Sequence, residues 1–281
     1  LLYLSFLLFF PLSAFSQTKG YLFIIGGGSW PESMMKKFVD LAGRHKSGKI
    51  IILPMASSEP DKTGAEEAEE LKKYGVREVS CLILSREQAS LEENIKIIED
   101  AGGVFFSGGV QSRLTDILLN TPLHRKLLEI YAEGAVIGGT SAGAAVMSEI
   151  MITGDEKRKV EEGHEFETIQ AQNIVTTPGL GFIKEAIIDQ HFIRRKRHNR
   201  LLSLMAEHPK LLGVGIDEST AIVVNPDKTF EVFGEGNVIV YDASRAKIQI
   251  LPSQALSAFN IAMHVLKAGD RFNLKARKVM R

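Results

Sequence analysis

The chain has 281 residues, 44% of them hydrophobic and 24% charged, which is apolar material enough for one large domain or two small ones. Lys+Arg and Asp+Glu number 34 each, so the net charge is zero and no global field directs the chain to nucleic acid or to an anionic membrane. A single cysteine, Cys81, excludes an intramolecular disulfide. With neither HExxH nor CxxC present, no metal and no cofactor is expected.

In chain order, LLYLSFLLFFPLSAFSQ reads as an apolar run through Phe10, a break at Pro11 and a small-residue segment around Ala14. These are the hydrophobic and cleavage regions of a secretory signal over residues 1–16, too short for a membrane span, which takes about 20 apolar residues. The expectation is an exported chain, periplasmic or secreted, whose residues 17–281 form one domain. GYLFIIGGG is then a strand ending in glycines, residues 32–43 a helix, KIIILPMAS a second strand, and the acidic stretch 60–74 a helix with its charges outward. VREVSCLIL is a strand, 91–101 a helix, and GGVFFSGG a fourth strand with a glycine-rich end. Helical stretches at 111–119 and 123–133 lead to AVIGGTSAGAAVM. Continuous apolar strands alternating with amphipathic helices predict an α/β fold with a mainly parallel sheet covered on both faces. After residue 210, short strands joined by Asn225-Pro226-Asp227 and Gly234-Glu235-Gly236 predict an antiparallel extension of that sheet. The tail SQALSAFNIAMHVLKAGDRFNL has helical period, suited to packing on the sheet or to a subunit contact such as a homodimer.

Ligands and catalytic groups in such folds gather at the carboxyl ends of the strands, where three glycine-rich turns lie. Gly26-Gly27-Gly28 does not open a dinucleotide-binding loop, because Pro31 stands where G-x-G-x-x-G requires glycine. The third turn sets Ser141 inside Gly-Thr-Ser-Ala-Gly, after an apolar strand and before a small-residue helix, the context of an exposed serine nucleophile. A serine hydroxyl needs a base, and the base an orienting acid. His191 in IIDQHF is the leading base, at a strand end beside a basic segment. His45, His124, His164, His198, His208 and His264 read as solvated or capping side chains. For the acid, GIDESTAIVV offers Asp217 and Glu218 at a turn, and spacing alone does not choose between them.

The blocks FFSGGVQSRL, GGTSAGAAVM, TPGLGF with IIDQHFIRRKRHNRLL, and GIDESTAIVV, in that order from about Tyr21 to Tyr241, resemble the cyanophycinase family of serine peptidases, related to the aspartyl dipeptidases. The resemblance implies a flavodoxin-like, class I glutamine-amidotransferase-like three-layer sandwich and a triad of Ser141, His191 and Glu218. The backbone of Gly109 and Ala142 would form the oxyanion hole. Gln111, Asp189, Gln190, Arg195, Arg197, Arg200 and Thr220 fall on the family's substrate-binding positions. The implied substrate is cyanophycin, an aspartate polymer with arginine on its side chains, cleaved to β-Asp-Arg dipeptides. An aspartyl dipeptidase and a catalytically silent peptide-binding homologue are the alternatives. Residues 194–200 hold five basic side chains in seven, suited to substrate carboxylates rather than to nucleic acid. The stretch between the nucleophile helix and TPGLGF is longer and more charged than the family pattern, which marks it as a lid or specificity loop.

Overall fold

The computed structural model describes residues 18–161 and 163–280, so the expected signal over residues 1–16 lies outside the described residues. The first half runs β1 (Tyr21–Ile25), α1 (Glu32–Gly43), β2 (Lys49–Leu53), α2 (Pro60–Lys73), β3 (Val79–Cys81), α3 (Glu92–Glu99), β4 (Ala101–Phe106), α4 (Gln111–Leu118), α5 (Pro122–Glu133), β5 (Val136–Thr140) and α6 (Ala142–Ala145). Five of these strands pair in parallel in the order β3-β2-β4-β5-β1. Their apolar runs are continuous because both faces are covered. Leu22, Ile24, Ile51 and Leu53 face α3 to α6, while Phe23, Ile25, Ile50 and Ile52 face α1 and α2.

The second half adds β6 (Ile150–Glu156), β7 (Ile174–Pro178), β8 (Ala186–Gln190), α7 (His198–Glu207), β9 (Leu212–Ile216), β10 (Thr220–Val224), β11 (Thr229–Gly234) and β12 (Val238–Asp242). It ends with β13 (Lys247–Ile250), β14 (Leu256–Phe259), β15 (Ala262–Leu266), β16 (Arg271–Asn273) and β17 (Lys278–Met280). β10, β11, β16 and β17 extend the main sheet beyond β1 with antiparallel pairings, giving nine strands among the described residues. The expected extension is only part of the outcome, because β9 and β12 leave it. They join β8 and β15 in a separate four-stranded sheet, ordered β15-β12-β9-β8. The chain crosses from one sheet to the other between Ile216 and Thr220.

The second sheet lies against the side of the molecule that carries α3 to α6. Ile188, Val214, Ile216, Val238 and Val240 share one apolar cluster with β1, β2 and those helices. Its other face holds Ile187, Ile239 and Tyr241 against Leu201, Leu204 and Met205 of α7. Gly213 and Gly215 of β9 make that packing possible: a methyl group on Gly215 would stand 2.3 Å from the ring of Phe192. The tail is a correction to the helical expectation, since residues 253–274 form β14, β15 and β16. Short apolar runs fit both periods, and here backbone pairing with β12, β13 and β11 decides for strands.

Candidate active site

Ser141 follows β5 and caps α6, with φ 53 and ψ −110, a conformation that side chains other than glycine seldom adopt. Its amide donates to Ile25 O at 3.1 Å, which fixes the turn to the end of β1. The flanking glycines are required by close approach: a methyl on Gly139 would meet Gly143 O at 2.5 Å, and one on Gly143 would meet Phe106 O at 2.1 Å. Only a strand-turn-helix with no side chains at those two positions fits, and it lifts the serine out of the sheet.

His191 stands just past β8, in the second sheet. Its amide donates to Gly26 O at 2.7 Å, and the next residue, Phe192, donates to Ile216 O at 3.2 Å. The ring lies between two partners, with Nε2 2.9 Å from Ser141 Oγ and Nδ1 2.7 Å from Glu218 Oε1. An ionised carboxylate only accepts, so Nδ1 carries the proton and Nε2 offers its lone pair to the serine hydroxyl. The His191 hydrogen bond holds the Glu218 carboxyl below its usual range. Burial pushes the His191 imidazole below 6.5, against the raising effect of Glu218, and the nearby Arg195 and Arg197 push the same way as burial. The imidazole is therefore a free base at neutral pH.

Between Asp217 and Glu218 the geometry decides. Asp217 Oδ1 accepts from the amides of Ile193 and Arg194 at 3.1 and 2.9 Å, which ties down the turn after His191. Glu218 alone reaches the ring. The Gly26-Gly27-Gly28 turn, which carries no chemistry by its motif, proves to be the floor of the site. Gly27 lies so close beneath His191 that a methyl there would meet Cε1 at 2.3 Å, and Gly27 O accepts from Ser219 N at 2.8 Å. No pattern in the sequence signals this role, because the contact joins residues from opposite ends of the fold.

The Gly108 and Gly109 turn borders the serine: a methyl on Gly108 would stand 3.5 Å from Ser141 Cβ. Gly109, at φ 136, passes so near Ala56 O that a methyl would clash at 2.1 Å, and Val110 N donates to that same oxygen at 2.9 Å. Behind this turn the buried Ser107 hydroxyl donates to Glu67, whose carboxyl burial pushes up to about 7.

The residues expected at the substrate divide sharply by burial. Arg195 is exposed and Arg197 partly so, on the turn after His191. Arg197 donates to Gln190 O and Oε1 at 2.7 and 2.8 Å, so Gln190 holds Arg197. Three further positions are buried in hydrogen-bonded networks. Arg200 is 1% exposed and its guanidinium binds both oxygens of the buried Asp189, Nε at 2.7 Å from Oδ2. Thr220 is fully buried, donating to Glu218 O and accepting from Gly236 N at 3.0 and 2.8 Å. Gln111 is buried too, with Nε2 donating to Ile152 O at 2.9 Å and to Thr153 O at 2.5 Å. A signal for Arg200 exists in the sequence: it lies three and four residues before the buried Ser203 and Leu204 on the inner face of α7. Among the other histidines, His124 is buried and caps the start of α5, Nδ1 accepting from Asn120 N at 3.2 Å and Nε2 lying 2.9 Å from Leu180 O.

The model of Peptidase family S51 matches residues 22–232. The cyanophycinase of Synechococcus elongatus is 35% identical over 275 residues, covering 94% of this chain and 82% of that protein. The cyanophycinase of Geminocystis herdmanii is 34% identical over 266 residues, covering 92% and 94%. In fold, the crystal structure of a peptidase from an acI-B1 Actinobacterium superposes with a TM-score of 0.68 at 23% identity, covering 92% of this chain and 98% of its own. The chain belongs to peptidase family S51 and is a serine peptidase of the cyanophycinase type.

Proposed function

We propose that the enzyme hydrolyses the aspartate backbone of cyanophycin, releasing β-Asp-Arg dipeptides, with Ser141, His191 and Glu218 as its catalytic triad. One observation carries the catalytic reading: the unbroken hydrogen-bond chain from Ser141 Oγ through both ring nitrogens of His191 to Glu218. The substrate comes from the relatives, which are cyanophycinases. As the Ser141 oxygen attacks the peptide carbonyl, its proton passes to His191 Nε2, and Glu218 stabilises the imidazolium through the Nδ1 proton. The carbonyl oxygen gains the negative charge and takes hydrogen bonds from the amides of Ala142 and Gly109. Each such donor contributes about 3 kcal/mol in comparable serine enzymes. His191 gives the proton to the leaving amine, which breaks the carbon–nitrogen bond. It then takes a proton from the water that releases the acyl group.

Substrate carboxylates suit the exposed Arg195 and the partly buried Arg197, whose forked donors match them. Export is proposed on the apolar run of residues 1–10, and the check is whether the expressed chain is recovered outside the cytoplasm with residues 1–16 removed. The test of function incubates residues 17–281 and the Ser141→Ala variant with insoluble cyanophycin, the soluble products being identified by mass spectrometry. Dipeptide release by the parent and none by the variant is the expected result. Cleavage of short Asp-Xaa peptides without release from the polymer would replace the polymer by a dipeptide substrate and leave the triad standing.

A further inference from the structure

Beside the turn that follows His191 lies an open cleft of about 690 Å³ with two walls of opposite charge. Arg195, Lys196 and Arg197 form one wall. The other is the tip of the charged loop between β6 and β7, which brings Glu165, Phe166 and Glu167 to the cleft. The loop tip is held in place at Phe166. Its amide donates to Glu156 Oε2 at 3.2 Å, and its carbonyl accepts from Asn199 Nδ2 at 3.1 Å. The Phe166 ring lies 4.9 Å from the guanidinium of Arg200, the buried side chain clamped by Asp189 on the strand that leads to His191. Arg200 Nη1 has no hydrogen-bond partner among the described residues, so the aromatic face is what meets this part of the cation.

Flanking that anchored ring, Glu165 and Glu167 are exposed. Each commits one oxygen within the loop, Glu165 Oε1 to Gly163 N at 3.1 Å and Glu167 Oε1 to His164 Nδ1 at 2.9 Å. Backbone amides hold the Glu165 carboxyl below its usual range, so it is ionised at neutral pH. The cleft thus offers carboxylates opposite cations, a field complementary to a ligand that carries both signs itself.

We propose that Glu165 and Glu167 form the guanidinium subsite of this enzyme, selecting arginine-bearing aspartyl units whose carboxylate lies on the Arg195 and Arg197 wall. This rests on the proposed function and adds to it the residues that read the arginine. The buried Asp189 and Arg200 take part as the anchor of the loop, acting through Phe166.

The test uses two soluble oligomers of identical length, β-Asp-Arg and its counterpart with citrulline, where a neutral urea replaces the guanidinium. Hydrolysis is measured for the parent, the Glu165→Gln/Glu167→Gln double variant and Glu165→Lys. The parent is expected to favour the arginine oligomer about tenfold or more in kcat/KM, the worth of a charge-assisted contact, chiefly through KM. The double variant should lose that preference, and Glu165→Lys should invert it. A parent that treats both oligomers alike overturns the subsite, as does a double variant that keeps its preference. Binding to Ser141→Ala, with and without the two Gln substitutions, reads the subsite without hydrolysis. A Ser141→Ala protein that still cleaves overturns the triad, while its discrimination between the oligomers still decides the subsite.

Discussion

Ser141 is held at a positive φ, a region that costs a non-glycine residue about 1–3 kcal/mol. His191 and Ser219, at φ 49 and 53, share that strain, so three residues of one site are fixed by their surroundings rather than by local preference. Ser141→Ala removes the hydroxyl and keeps the strain, whereas Ser141→Gly removes both. Glycine gives back about 0.5–1 kcal/mol through its freer unfolded chain. The glycine variant is therefore expected to unfold in urea with about 1 kcal/mol more stability than the alanine variant, both being inactive. A glycine variant about 0.5–1 kcal/mol less stable than the alanine variant would show that the turn is unstrained. What the sequence conveyed at this scale was residue type. The serine and the histidine were legible because their neighbours are strand ends and glycines, but Asp217 and Glu218 are adjacent on one turn and face different ways. Only the amides of Ile193 and Arg194, drawing Asp217 aside, separate them.

At the scale of elements, the turn after His191 carries its charge close to the base. Arg195 and Arg197 lower the imidazole pKa through the same field that suits them to substrate carboxylates. In the proposed triad the base is the neutral ring, so kcat/KM should rise with pH through an ionisation below 6.5, which belongs to the free enzyme. Arg195→Ala withdraws a positive charge, which favours the protonated ring, and the acid limb should move to higher pH. Raised salt should move the parent's limb the same way by screening. A limb that stays in place would mean that the Arg195 charge does not reach the imidazole. The parallel strands and their helices were readable in the sequence because a doubly covered strand is apolar throughout, as β4 and β5 are, buried along their whole length. The tail was not readable. β15 lies at the edge of the second sheet with Met263 and Val265 exposed, so its apolar residues mark no buried face for a period to report.

At the scale of the whole molecule, the site is built across two sheets: Ser141 ends a strand of the main one, His191 a strand of the other, and Glu218 sits where the chain crosses between them. One apolar cluster spans both sheets, with Ile24 and Ile137 of the first and Ile188 and Val214 of the second. Unfolding followed by far-ultraviolet dichroism and by residual peptidase activity should therefore coincide along a urea series. Activity lost well before the dichroic signal would show that the sheets part independently. The order of assembly has a consequence for the newly made chain. Among the described residues β1 is the first strand synthesised, yet in the finished sheet it lies inside, between β5 and β10. Its second edge stays open until Thr220–Val224 has been made, on the order of ten seconds later at ordinary rates of synthesis. During that interval the open edge of β1 is an unpaired strand edge available to pair with another chain. The central sheet therefore closes only after the last third of the chain has begun to emerge.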